Sequence, residues 1–137
     1  MVQSMKPLST SIYTFRDLIQ GGYLYVDKTR HIYDLVSGYK GQYFLARPRR
    51  FGKSLLVSTL KAIFQNRREL FKGLWLDSAD FEWKSFPVIH LDMGSCVANT
   101  GPDFSVALKE LIDEQAERHG VVLSNASPSS RFRELVI

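Results

Sequence analysis

The sequence predicts an α/β protein with a parallel sheet flanked by helices, and three observations lead there. Two short apolar runs, residues 42–46 and 87–92, have the length and composition of strands buried on both faces of such a sheet. Segments with apolar residues at helical spacing alternate with these runs. Polar caps, glycines and prolines mark the boundaries between them.

The elements follow in order. Thr14 caps a helix that runs to Gln20, with Asp17 three residues on and Gly21-Gly22 as its stop. Residues 23–26 are expected to be extended. Ile32, Leu35 and Val36 mark a second helix from about Lys28 to Ser37, and residues 38–41 form a turn. After the first apolar run comes Arg47-Pro48-Arg49-Arg50-Phe51-Gly52-Lys53-Ser54, and then Leu56, Leu60, Ile63 and Phe64 at i, i+4, i+7 and i+8, one helix face in a core. Trp75 and Trp83 bracket an acidic stretch and read as packing residues. Beyond the second apolar run, Pro102 and Asp103 open a helix carrying Phe104, Leu108, Leu111, Ile112 and Ala116. Residues 124–130 look like a linker, within which Ser127 and Pro128 cap a last helix carrying Phe132, Leu135 and Val136.

At 137 residues the chain has the size of one domain, and 45% hydrophobic with 23% charged residues excludes a disordered tail. No apolar run approaches the roughly 18 residues that cross a bilayer, so no membrane partner is expected. Cys96 is the lone cysteine and the N-terminus has no apolar leader, which fits a reducing, cytoplasmic setting. His31, His90 and His119 are too scattered for a metal site. Charge is uneven: residues 1–72 hold 13 bases and 4 acids, net +9, and residues 73–137 are net −5. The first half should therefore attract anions.

Gly52-Lys53-Ser54 between an expected strand and helix has the makings of a phosphate loop. A glycine lets the backbone approach the anion, a lysine reaches outer phosphates, and a hydroxyl serves Mg²⁺. The match is degenerate, because Arg47 stands where the usual pattern has its first glycine. The alternative for Arg47, Arg49, Arg50, Lys61, Arg67 and Arg68 is a basic surface that holds nucleic acid by its phosphates. A third reading is a non-catalytic remnant with unpaired sheet edges.

The loop string from Phe44 to Leu56, the earlier Tyr25-Val26-Asp27-Lys28-Thr29 and the later Pro87-Val88-Ile89-His90-Leu91-Asp92 together resemble the AAA-ATPase-like family of prokaryotic P-loop proteins. The likeness covers roughly residues 8–137, with about 1–10 a flexible lead. It implies a P-loop NTPase-like fold, with Arg47 as a family trait. It implies ATP and Mg²⁺ as ligands, held by Arg49, Arg50, Phe51, Gly52, Lys53, Ser54 and Leu55: Lys53 on the β and γ phosphates, Ser54 on Mg²⁺, and the N–H groups of residues 50–54 around the β phosphate. Arg49 and Arg50 either add charge there or face a partner. Tyr25, Val26 and Asp27 lie where related ATPases pack a segment on adenine, with core packing or capping as the alternative. Members often carry a C-terminal nuclease-like domain of the PD-(D/E)XK type, which these residues do not include.

Hydrolysis also needs an acidic strand end beside the metal. Asp92 ends an apolar run and is a weak candidate, but the resemblance makes that run the second strand and Asp92 a turn carboxylate. The acidic Walker B strand is expected beyond the helix that begins around Ser129. The chain therefore reads as the N-terminal part of an ATPase that drives an attached effector, in an oligomer or a larger polypeptide, without hydrolysis of its own.

Overall fold

The computed structural model describes residues 5–9, 11–38, 41–96 and 100–137. Its α-helices are α1 (Phe15–Gln20), α2 (Thr29–Val36), α3 (Lys53–Phe64), α4 (Trp75–Ser78), α5 (Gly101–His119) and α6 (Pro128–Val136). Short 3₁₀ turns lie at Arg68–Phe71 and Met93–Ser95. The chain divides into two compact units, Met1–Phe86 and Pro87–Ile137.

The predicted parallel sheet is absent: among the described residues no strand forms, and β pairing is confined to one isolated antiparallel bridge, Gln65 to Ser85. A helix satisfies its backbone groups from within its own segment, whereas a strand depends on a second strand. Neither apolar run meets one. In the first, Tyr43 is 62% and Phe44 94% exposed, and the Tyr43 hydroxyl donates to the Leu35 carbonyl at 2.9 Å. In the second, helix side chains replace the strand partner. The His90 N–H donates to Gln115 Oε1 at 3.2 Å, and the His119 ring lies 3.1 Å from the Val88 carbonyl.

The helices follow their local signals. Thr14 Oγ1 accepts from Asp17 N–H at the start of α1, and Thr100 and Ser127 do the same for Asp103 and Ser130 at the starts of α5 and α6. Gly120 in the left-handed region closes α5. The turn expected at 38–41 includes residues 39–40, which lie outside the described residues, as do 1–4 and 10 of the expected lead. Within that lead, the Pro7 carbonyl accepts from Leu24 N–H at 2.9 Å.

The core of the first unit is largely aromatic. Phe15 and Phe71 are fully buried with ring centroids 4.8 Å apart; Tyr25 meets Phe15 edge-on at 5.1 Å, and Trp83 meets Phe71 at 5.2 Å. Ala62 and Ile63 bring α3 into this cluster, and the Phe15 N–H donates to Ser58 Oγ at 2.8 Å, fixing α1 to α3. In the second unit Ile112, Ala116 and Leu135 pack α5 on α6, reinforced by Arg131 donating to Asp113 at 2.6 Å. The linker-like stretch is a closed turn: Ser124 and Asn125 both donate to the Glu134 carboxylate from backbone and side chain. Those donors, the Ser124 hydroxyl foremost, hold the Glu134 carboxyl below its ordinary range.

Truncating Phe71 to Ala removes the centre of the aromatic cluster and should destabilise the first unit by roughly 3–5 kcal/mol. Urea unfolding followed by tryptophan fluorescence checks this, and a loss below about 1 kcal/mol would contradict the packing described.

Candidate phosphate-binding loop and cavity

Residues 47–52 form an exposed loop that delivers the chain into α3. Arg50 and Gly52 both adopt left-handed backbone, with φ of 65° and 75°. Glycine takes this conformation without penalty, and Arg50 carries the strain of a side chain there. A left-handed residue followed by helical ones makes successive N–H groups converge, the arrangement of an anion-binding nest.

Gly52 is the N-cap of α3 and offers no side-chain acceptor. The first helical bond runs from Leu56 N–H to the Gly52 carbonyl at 2.9 Å, so the N–H groups of Lys53, Ser54 and Leu55 have no partner within the helix. They form the positive end of a 12-residue helix. Lys53 turns back over the loop, its Nζ donating to the carbonyls of Arg47 and, at 2.8 Å, Pro48. Ser54 is exposed in the first turn. Free amides, an ammonium group and a hydroxyl are thus gathered within a few residues, a donor set suited to phosphate oxygens and, at Ser54, to a hard cation.

A cavity of about 560 Å³ opens beside this loop, lined in part by Arg47, Phe51, Gly52 and Leu55. Tyr25 and Val26 line the same cavity, so the loop and the suspected adenine segment are brought together. Asp27 lies outside the lining. Its Oδ1 accepts from the Thr29 N–H at 2.8 Å and hydroxyl at 2.7 Å, and its Oδ2 from Trp75 N–H at 2.6 Å. Burial pushes this carboxyl up, but the Trp75 and Thr29 donors outweigh it and hold Asp27 below the ordinary carboxylate range. Burial raises the Tyr25 hydroxyl against a hydrogen bond with Thr59.

Other suspected residues fall elsewhere. Arg68 lies 3.5 Å from Asp77 and Arg67 3.8 Å from Glu69, and α3 spans about 18 Å between Lys53 and that end of the helix. Arg67 and Arg68 are therefore not continuous with Arg47, Arg49 and Arg50. Asp92 accepts from Gly94 N–H at 2.9 Å and closes a turn in the second unit. No group of three metal-ligating side chains occurs among the described residues. No helix among them is long and apolar enough to cross a membrane.

Sequence reasoning missed the contribution of α2. Lys28 at its N-cap and His31, Ile32 and Leu35 along it line the cavity, as does Leu45. Their apolar spacing marked a helix face, but not what that face adjoins.

A family model described as Predicted AAA-ATPase matches residues 9–137, and the chain belongs to this AAA-ATPase-like family. It is also 35% identical over 136 residues to an uncharacterized protein from the vnfD 5′ region of Azotobacter chroococcum mcd 1, an alignment covering 97% of this chain and 26% of that protein. The chain thus spans about a quarter of the length of this relative. No solved structure matches it.

Asp27→Ala leaves the Trp75 and buried Thr29 donors without their acceptor, and should lower stability by about 1–2 kcal/mol at neutral pH. Because the folded carboxyl is the stronger acid, its stabilising effect is present above the ordinary carboxylate range and is lost as pH falls through the folded value. Thermal melts from pH 7 to pH 3 should show the difference between wild type and variant shrinking in acid. A constant difference would contradict this assignment.

Proposed function

We propose that the first unit binds a nucleoside triphosphate, ATP by the family to which the chain belongs, with its phosphates on the residue 47–55 loop. The observation that carries this reading is the uncapped start of α3, with Lys53 held over the loop, at the rim of a cavity large enough for a small-molecule ligand. Lys53 exchanges its two loop carbonyls for β- and γ-phosphate oxygens, a charge-assisted contact stronger than the neutral ones it leaves. The N–H groups of residues 50–54 and of Leu55 surround the β phosphate. Arg49 and Arg50, exposed on the loop, add positive charge. Ser54 would hold Mg²⁺, which would supply neutralisation of the phosphate charge.

Binding is the activity proposed for the residues that line the cavity and its loop. Turnover, and its coupling to an attached effector, are proposed for the whole protein; the alignment with the Azotobacter chroococcum relative covers 26% of that protein.

Titration with Mg-ATP at two salt concentrations tests the reading. Saturable binding is expected, weakened tenfold or more by Lys53→Ala, about 1.4 kcal/mol. Equal affinity in wild type and variant would contradict it.

A further inference from the structure

Residues 5–9 run past the edge of the cavity and leave apolar side chains in water there. The Pro7 carbonyl accepts from Leu24 N–H at 2.9 Å, and Leu24 lines the cavity, so this bond tethers the segment to the cavity wall. On its other side the segment is held by a turn in which Ser9 Oγ accepts from Ile12 N–H at 3.0 Å, before Thr14 caps α1 and Phe15 enters the core. Pro7 has a fixed φ and disfavours helix at Lys6, which keeps the chain stiff at the tether. Met5 and Leu8, on either side of it, are 93% and 76% exposed, and neither lines the cavity. They stand two residues and one residue from Pro7, within about 7 Å of it along the chain. Four of the lining residues, Leu24, Val26, Leu45 and Phe51, are exposed large hydrophobics as well. Single exposed apolar side chains are ordinary, but here two of them are tethered beside a cavity whose own lining leaves four more uncovered.

We propose that residues 5–8 are a strap that closes over the cavity once a ligand occupies it. The Pro7 to Leu24 bond is its fixed point, and Met5 and Leu8 are the side chains it lays on the ligand. A bound ligand supplies the surface against which both leave water. The ligand class is an organic anion with an apolar portion: the loop donors take the charge and the strap covers the rest. Residues 5–8 precede the matched residues 9–137, so the strap lies outside what the family match describes. The proposal rests on the nucleotide reading for the identity of the ligand. Because closure follows binding, it prolongs the complex without changing how fast the ligand arrives.

The test is stopped-flow kinetics on the full chain, with a fluorescent ATP analogue and Mg²⁺ for association and an excess of unlabelled Mg-ATP for dissociation. The double variant Met5→Ser, Leu8→Ser should release the analogue roughly fivefold faster or more, with an association rate within about twofold of wild type. Both side chains are exposed, so the unliganded variant should melt with wild type, which separates loss of the strap from loss of the fold. Equal dissociation rates would overturn the strap and leave the phosphate loop standing. Faster association in the variant with unchanged dissociation would make residues 5–8 an obstruction at the entrance and would also overturn it. Absence of saturable binding by wild type would overturn the nucleotide reading and the strap with it.

Discussion

A helix that begins without a side-chain cap must be held from somewhere else. In α3 that anchorage is the buried patch of Thr59, Ala62 and Ile63, packed into the aromatic cluster of Phe15 and Phe71 and tied to α1 through Ser58. Apolar burial at the far half of the helix offsets the unsatisfied amides at the near half. Capping the helix with serine or aspartate would have been locally favourable and would have occupied the amides that an anion needs. Gly52 at that position leaves them free, and the core tolerates the cost.

The same core organises the cavity. Tyr25 packs edge-on against Phe15 on one side and faces the cavity on the other, so the wall is an extension of the core. Asp27 then fixes α2 and α4 to that wall by three short hydrogen bonds. The exposed donors of the loop and an apolar recess are therefore supported by one aromatic cluster within one compact unit.

Much of this was legible in the sequence because it is local. Caps, stops and apolar spacing located α1, α2, α3, α5 and α6 to within a few residues, since each cap is a contact over three residues. The Gly52-Lys53-Ser54 string likewise announced the loop, whose geometry is set by Gly52 and the first turn of α3. The sheet was misjudged for the converse reason: apolar composition at residues 42–46 and 87–92 says nothing about whether a partner strand lies alongside. The role of α2 was equally hidden, because His31 and Gly52 come to line one cavity only through tertiary packing. Asp27 was visible as a candidate, with capping as one alternative, and it does accept from Thr29 at the start of α2; its bond to Trp75 was hidden because Trp75 lies 48 residues away.

The most direct test of the account is amide hydrogen exchange on the full chain with and without Mg-ATP. The account predicts that nucleotide slows exchange at the amides of Lys53, Ser54 and Leu55 and, together with them, in α2, while α5 and α6 are unchanged. Protection confined to the basic surface around Arg67 and Arg68, or no protection at the start of α3, would contradict it.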